Sequence, residues 1–275
     1  MTKTKNEIGL NGIEFVEFSS PDPSSLKELL RNFGFSKIMV HKKKNIELYR
    51  QGGINLLLNM GKGSCAETFH VEHGPCISSM GWRTKDPKHA FELAQKRGAK
   101  KSPTVDYDLP GIQGIGDSCV YFTKDNDKEL YETLGFVKTN DSLLPGKGFI
   151  AIDHLTNNVY AGTMKKWSAF YQEIFEFTEV RYFDIKGIKT GLTSYALKSP
   201  CETFCIPINE GNEEKSQINE YLRMYKGPGV QHLAFTTSDI IKTVSALNQT
   251  SIKTLDIDQE YYDEVFQRVP RVTED

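Results

Sequence analysis

The chain has 275 residues (31.2 kDa), of which 38% are hydrophobic, 11% aromatic and 25% charged. That suits two domains with substantial cores and excludes wholesale disorder. With 34 Lys and Arg against 36 Asp and Glu, the net charge is −2 and the pI near 6.3, which leaves no electrostatic footprint for nucleic acid or an anionic membrane.

In chain order, strands are predicted over 13–17, 46–49, 54–59 and 118–122, with a helix over 23–33 that follows Asp22 and opens on Pro23. Asp86-Pro87 supplies a second N-cap with a favoured first-turn proline, and Gly98 a stop. A linker over 140–148, containing Pro145-Gly146, places the boundary near residue 145, giving domains 1–145 and 146–275. Beyond it come a strand over 152–156, a helix over about 163–175, strands over 179–185, 192–197 and 204–208, and a helix over 256–268. Adjacent strands joined by short turns point to a mixed α+β fold, not a doubly wound sheet. The longest dense apolar run, 54–58, is far too short to span a bilayer, and MTKTKNEIGLNG at the N-terminus lacks a signal-like apolar segment, so a cytoplasmic protein is expected. Five cysteines without a CxxC pair argue against a disulfide framework or structural zinc.

The two halves repeat one another. Residues 74–86 (GPCISSMGWRTKD) lie over 227–239 (GPGVQHLAFTTSD) without a gap, each a Gly-Pro turn, a strand and an Asp near a helix start. Residues 13–17 (IEFVE) lie likewise over 152–156 (IDHLT). No counterpart of the 118–122 strand follows residue 239, so the second domain is expected to be incomplete.

The repeat isolates two histidines. His154 stands where the first half has Phe15, and His232 where it has Ser79. Strand alternation puts His154 on the face of Ile150 and Ile152, and His232 on the face of Val230 and Ala234. Two imidazoles at related positions can converge on one cavity, and with a carboxylate they would suit non-haem Fe(II). Taken singly, each reads as a core histidine with a satisfied hydrogen bond. His41, His70, His73 and His89 read as structural or exposed, since HxxH at 70–73 fits neither a strand face nor a zinc helix. The glycine-rich run 111–116 precedes a strand, so it is no dinucleotide loop.

The segments IDHLTNNV (152–159), PINE (207–210), SQI (216–218), GVQHLA (229–234) and GIGDS (114–118) make the chain resemble the 4-hydroxyphenylpyruvate dioxygenases, which belong to the vicinal oxygen chelate superfamily. The resemblance runs along nearly the whole chain. It implies two tandem domains of βαβββ modules, the first without a metal site. It also implies Fe(II) held by His154 and His232, and a substrate pocket including Ser194, Asn209, Gln217 and Gln231. The reaction it implies converts 4-hydroxyphenylpyruvate and O2 to homogentisate and CO2, in tyrosine catabolism. The family's third ligand is a glutamate on a strand past residue 275, so this chain alone is expected to be inactive; Glu210, Glu213 and Glu264 could fill the vacancy, but none stands at the family position. Alternatives are a hydroxymandelate synthase, using the same substrate and metal, and a small-molecule-binding protein on the same scaffold without chemistry. Ring-cleaving extradiol dioxygenases fit the motifs less well, and a homo-oligomer is left open.

Overall fold

The sequence's paired strand–helix runs become two sheets. The structure, a computed structural model, describes residues 5–186, 191–255, 257, 259 and 263. The first run gives β1 (Leu10–Ser19), α1 (Pro23–Asn32), β2 (Ser36–His41), β3 (Ile46–Gln51), β4 (Ile54–Asn59), α2 (Cys65–His73), β5 (Cys76–Thr84), α3 (Pro87–Lys96), β6 (Gly111–Gln113), β7 (Cys119–Lys124), α4 (Leu130–Thr133) and β8 (Phe136–Lys138). The second gives β9 (Phe149–Val159), α5 (Met164–Ala169), β10 (Thr178–Lys186), β11 (Gly191–Lys198), β12 (Cys205–Gly211), α6 (Gln217–Tyr225), β13 (Gly229–Thr237) and α7 (Ile240–Leu247). Most of the helix expected over 256–268 lies outside the described residues. No helix among the described residues is long and apolar enough to cross a membrane.

The repeat is carried into strand order. One sheet runs β6-β7-β5-β1-β4-β3-β2-β8 and the other β10-β11-β12-β9-β13, so β5-β1-β4-β3-β2 and β13-β9-β12-β11-β10 are the same arrangement. In each, the first strand of the run, β1 or β9, pairs parallel to one neighbour and antiparallel to the other. The mixed α+β class is therefore as expected.

Helix starts repeat as well. Asp86 and Asp239 each accept the backbone N–H three residues on, from His89 and Lys242, and Ser64 and Ser216 do the same for Glu67 and Asn219. Each satisfies an N–H that the first turn would otherwise leave orphaned. The 163–175 helix differs from expectation, ending as α5 at Ala169 and continuing through a π-helical turn, Phe170–Ile174.

One apolar core joins the halves. Trp82 of β5, fully buried, meets Phe175, Phe177 and Phe204 at ring-centroid distances of 5.0, 5.9 and 5.7 Å. Val16 and Met80 of the first sheet and Leu155 and Ile208 of the second belong to the same cluster. The other face of the first sheet is closed by a separate cluster that includes Phe15, Ile46, Leu48 and Leu57.

Candidate functional site

The site forms on the face of the second sheet that turns away from the shared core, and two β-bulges aim it. In the β9–β13 pair, His154 faces Ala234 while Ile152 faces Phe235, so β9 carries one extra residue, Asp153. Similarly, Thr156 faces His232 while Asn157 faces Val230, which makes Gln231 the extra residue of β13. Each bulge reverses the alternation beside a histidine. Ile152, Leu155 and Val230 all enter the core, and His154 and His232 point the other way. The expected faces are corrected accordingly: His154 does not share the face of Ile152, nor His232 that of Val230, while His232 and Ala234 do share one. The first half has the same bulges at Glu14 and Ser78, the residues that the repeat aligns with Asp153 and Gln231.

The two imidazoles converge. His154 Nε2 lies 3.3 Å from His232 Nε2, and the rings meet edge to face at 5.3 Å between centroids. The bulge residues hold the opposite nitrogens. Asp153 Oδ2 takes His154 Nδ1 at 2.6 Å, and Gln231 Oε1 pairs with His232 Nδ1. With both Nδ1 atoms donating, both Nε2 atoms carry lone pairs. Burial and then the neighbouring His154 push the His232 pKa down, which favours the neutral form of that ring. Two acceptor nitrogens facing one another with no proton between them suit a shared cation. Nitrogens each about 2.1 Å from one ion, at roughly a right angle, stand about 3 Å apart. Thr156 Oγ1, 3.0 Å from His232 Nε2, supplies a hydroxyl at the same point.

A polar row extends from the histidines along this face. Asn158, two positions beyond Thr156 on β9, accepts from Asn209 Nδ2 at 3.4 Å, and Asn209 is in register with Ser194 on the next strand. Ser194 and Asn158 are buried and Asn209 half-buried. Four of the sequence-derived residues, His154, His232, Asn209 and Ser194, thus share one face, and Gln231 supports it from the bulge. Gln217 is exposed at the first position of α6, and no hydrogen bond joins it to the row. Asp153, Thr156 and Asn158 were missed at the sequence level, although all three sit inside the IDHLTNNV segment.

A third ligand is not assembled. Among the described residues no three His, Cys, Asp or Glu side chains gather as a metal site. Glu210 Oε2 accepts from Gly162 N and Met164 N at 2.9 and 3.1 Å, which commits it to the start of α5. Glu213 is exposed, and Glu264 lies outside the described residues.

Comparisons with known proteins agree with this architecture. A family profile described as hydroxyphenylpyruvate dioxygenase, HPPD, N-terminal matches residues 4–136, and the glyoxalase/bleomycin resistance protein/dioxygenase superfamily matches 151–268. Protein MelA of Shewanella colwelliana is 52% identical over 281 residues, covering 100% of this chain and 81% of that protein. The 4-hydroxyphenylpyruvate dioxygenase of Legionella pneumophila (strain Corby) is 41% identical over 271 residues, covering 98% of this chain and 77% of the relative. The chain belongs to the 4-hydroxyphenylpyruvate dioxygenase family. A mutant 4-hydroxymandelate synthase from Streptomyces coelicolor has the same fold, with a TM-score of 0.83 at 18% identity over 94% of this chain and 80% of that one. Membership makes the vicinal oxygen chelate architecture and a dioxygenase lineage facts about the chain.

Proposed function

We propose that residues 146–275 carry the Fe(II)- and substrate-binding site of an enzyme that turns 4-hydroxyphenylpyruvate and O2 into homogentisate and CO2, as a cytoplasmic step of tyrosine catabolism. Residues 1–145 form a domain without a metal site. The observation that carries the reading is the 3.3 Å approach of His154 Nε2 and His232 Nε2, each with its Nδ1 held by a bulge residue. Outer partners of this kind fix ring orientation and tautomer in metal sites.

Bound by these nitrogens, Fe(II) supplies the O2 activation and redox chemistry of the decarboxylation and hydroxylation. The chain's own side chains do the rest. His154 and His232 would hold the metal through their Nε2 atoms, Asp153 holds the His154 ring by its Nδ1, and the Thr156 hydroxyl, now bonded to His232 Nε2, would yield that position to the metal. Asn158, Asn209 and Ser194 offer amide and hydroxyl groups to the polar atoms of the substrate, and Gln231 and Gln217 flank them. Ser194 and Asn158 are buried, so hydrogen bonds made at that end of the row are less weakened by water than those beside the exposed His232.

Metal titration tests the reading, with Co(II) as a spectroscopic probe. His154→Ala and His232→Ala are each expected to weaken binding by at least about 10-fold. Unchanged affinity in either variant removes that residue from the ligand set. Metal-independent behaviour of the native chain would favour a binding protein without chemistry. A hydroxymandelate synthase shares the fold, so O2 uptake with product identification separates the two: homogentisate supports the dioxygenase, hydroxymandelate the synthase.

A further inference from the structure

The first half reaches the strand of His232 through a row of four rings, the last three of them stacked. Phe69 and His73 lie on α2, and Tyr221 and Tyr225 on α6. Phe69 and His73 stand 4.5 Å apart between centroids, His73 and Tyr225 4.4 Å at 14°, and Tyr225 and Tyr221 4.9 Å at 17°. His73 Nδ1 adds a 2.7 Å hydrogen bond with the Tyr225 carbonyl. At the far end the Tyr221 hydroxyl donates to the Val230 carbonyl at 3.0 Å. Val230 immediately precedes Gln231, the bulge residue that re-aims His232.

The turn into β13 is gripped from the same side. A Cβ at Gly229 would sit 2.6 Å from the Tyr225 ring, and one at Gly227 3.3 Å from the His73 ring. Gly116 of the first half, at φ +64, lies against the Pro228 carbonyl, leaving no room for a side chain.

The repeat shows what is special here. Counted from the capping serines Ser64 and Ser216, Phe69 occupies the place of Tyr221, and His73 that of Tyr225. The two helices thus stack equivalent positions against each other. Only the copy with metal-site histidines has a hydroxyl at the first of these positions, and that hydroxyl bonds the strand carrying His232.

We infer that Tyr221, braced by His73 and Phe69 from the first half, is a positioning residue that fixes the Gln231 bulge and thereby aims His232. A bulge leaves the strand there with fewer ladder hydrogen bonds, so a bond from outside the sheet adds to the hold on the exact placement of the residues it re-aims. The inference rests on the reading of His154 and His232 as ligands only for its consequence, since the positioning itself is measurable without metal.

The test compares the native chain with Tyr221→Phe, which removes one oxygen and keeps the stack, and with His73→Ala, which removes a rung. Without metal, the His232 ring signals in nitrogen-15 NMR and amide exchange at residues 231–233 report the bulge. Tyr221→Phe is expected to shift those signals and speed that exchange about 10-fold, while the melting temperature moves by no more than about 2–4 °C. Co(II) affinity is expected to fall about 10-fold, as for other outer supports of metal ligands. The double variant is expected to lose less than the combined single losses, because both act on one path. Unchanged ring signals and exchange in Tyr221→Phe overturn the inference, as do changes that merely follow a general loss of stability. If those signals move while His154→Ala leaves Co(II) affinity intact, positioning stands and the metal reading falls.

Discussion

Replacing Glu17 with glutamine removes a carboxyl from the interior of the first half and is expected to change how stability depends on pH. Glu17 is 1% exposed and accepts from Ser78 Oγ at 3.1 Å, Ser79 Oγ at 3.2 Å, Asn59 Nδ2 at 3.4 Å and the Tyr107 hydroxyl. Burial, against the opposing effect of these donors, pushes its pKa from 4.5 up to about 7. A raised carboxyl pKa means that the folded chain keeps a proton which the unfolded chain has released. This contribution to stability is complete below pH 4.5 and is lost as pH rises to about 7. Within that window the slope is about −1.4 kcal/mol per pH unit, or about 3 kcal/mol in all. Glutamine carries no such proton. Its amide can turn its oxygen to one pair of donors and its NH2 to the hydroxyl oxygens of the other, at a cost that does not vary with pH. Urea unfolding of both proteins from pH 5 to 8 therefore should show Glu17→Gln gaining on the native chain steadily up to about neutrality, then holding level. Curves that run parallel across the range would refute the buried, protonated carboxyl.

The remaining expectations are simpler. Trp82→Ala empties the centre of the shared aromatic cluster and is expected to cost about 3–5 kcal/mol, read by chemical denaturation; a loss below about 1 kcal/mol would mean that Trp82 does not join the halves. Gly116→Ala puts a side chain at φ +64 against the Pro228 carbonyl, and about 1–3 kcal/mol of destabilisation is expected, with none refuting the contact. Ser216→Ala removes the cap that accepts from Asn219 N and is expected to lower stability by about 1 kcal/mol, whereas an unchanged urea midpoint would show α6 held by its packing alone.

The sequence made some of this plain. The aligned GPCISSMGWRTKD and GPGVQHLAFTTSD segments placed β5 and β13, and with them the capping aspartates, because turn, strand and N-cap each have a local chemical signature. The pairing of His154 with His232 followed from this overlay together with that of IEFVE on IDHLT. The faces did not follow, since alternation assumes an unbroken ladder, and Asp153 and Gln231 leave no local mark of being bulges. Helix α2 went unmarked because its CAETFHVEH sequence has no apolar stripe and buries only Ala66; the Ser64 to Glu67 capping spacing was its one available signal. Tyr221 and His73 were invisible for another reason, as their roles depend on a contact between residues far apart in the chain.

Why one copy holds the candidate site and the other does not comes down to side chains on a shared backbone. Both copies bulge at equivalent residues, so both aim the next position away from the common core. In the second copy that face receives His154, Thr156, Asn158, Ser194, Asn209 and His232. In the first, register places Phe15, Glu17, Ser19, Ile46, Asn59 and Ser79 there. Phe15 and Ile46 belong to a packed cluster, so the places of His154 and Ser194 are taken by apolar side chains, and Glu17 is already bonded by Ser78, Ser79 and Tyr107. Bulges cost ladder hydrogen bonds wherever they occur. Their retention in the half that lacks this histidine pair indicates that they shape the module itself. The chemistry then turns on which residues the module is given to aim, and on the Tyr221 hydroxyl that steadies one of them.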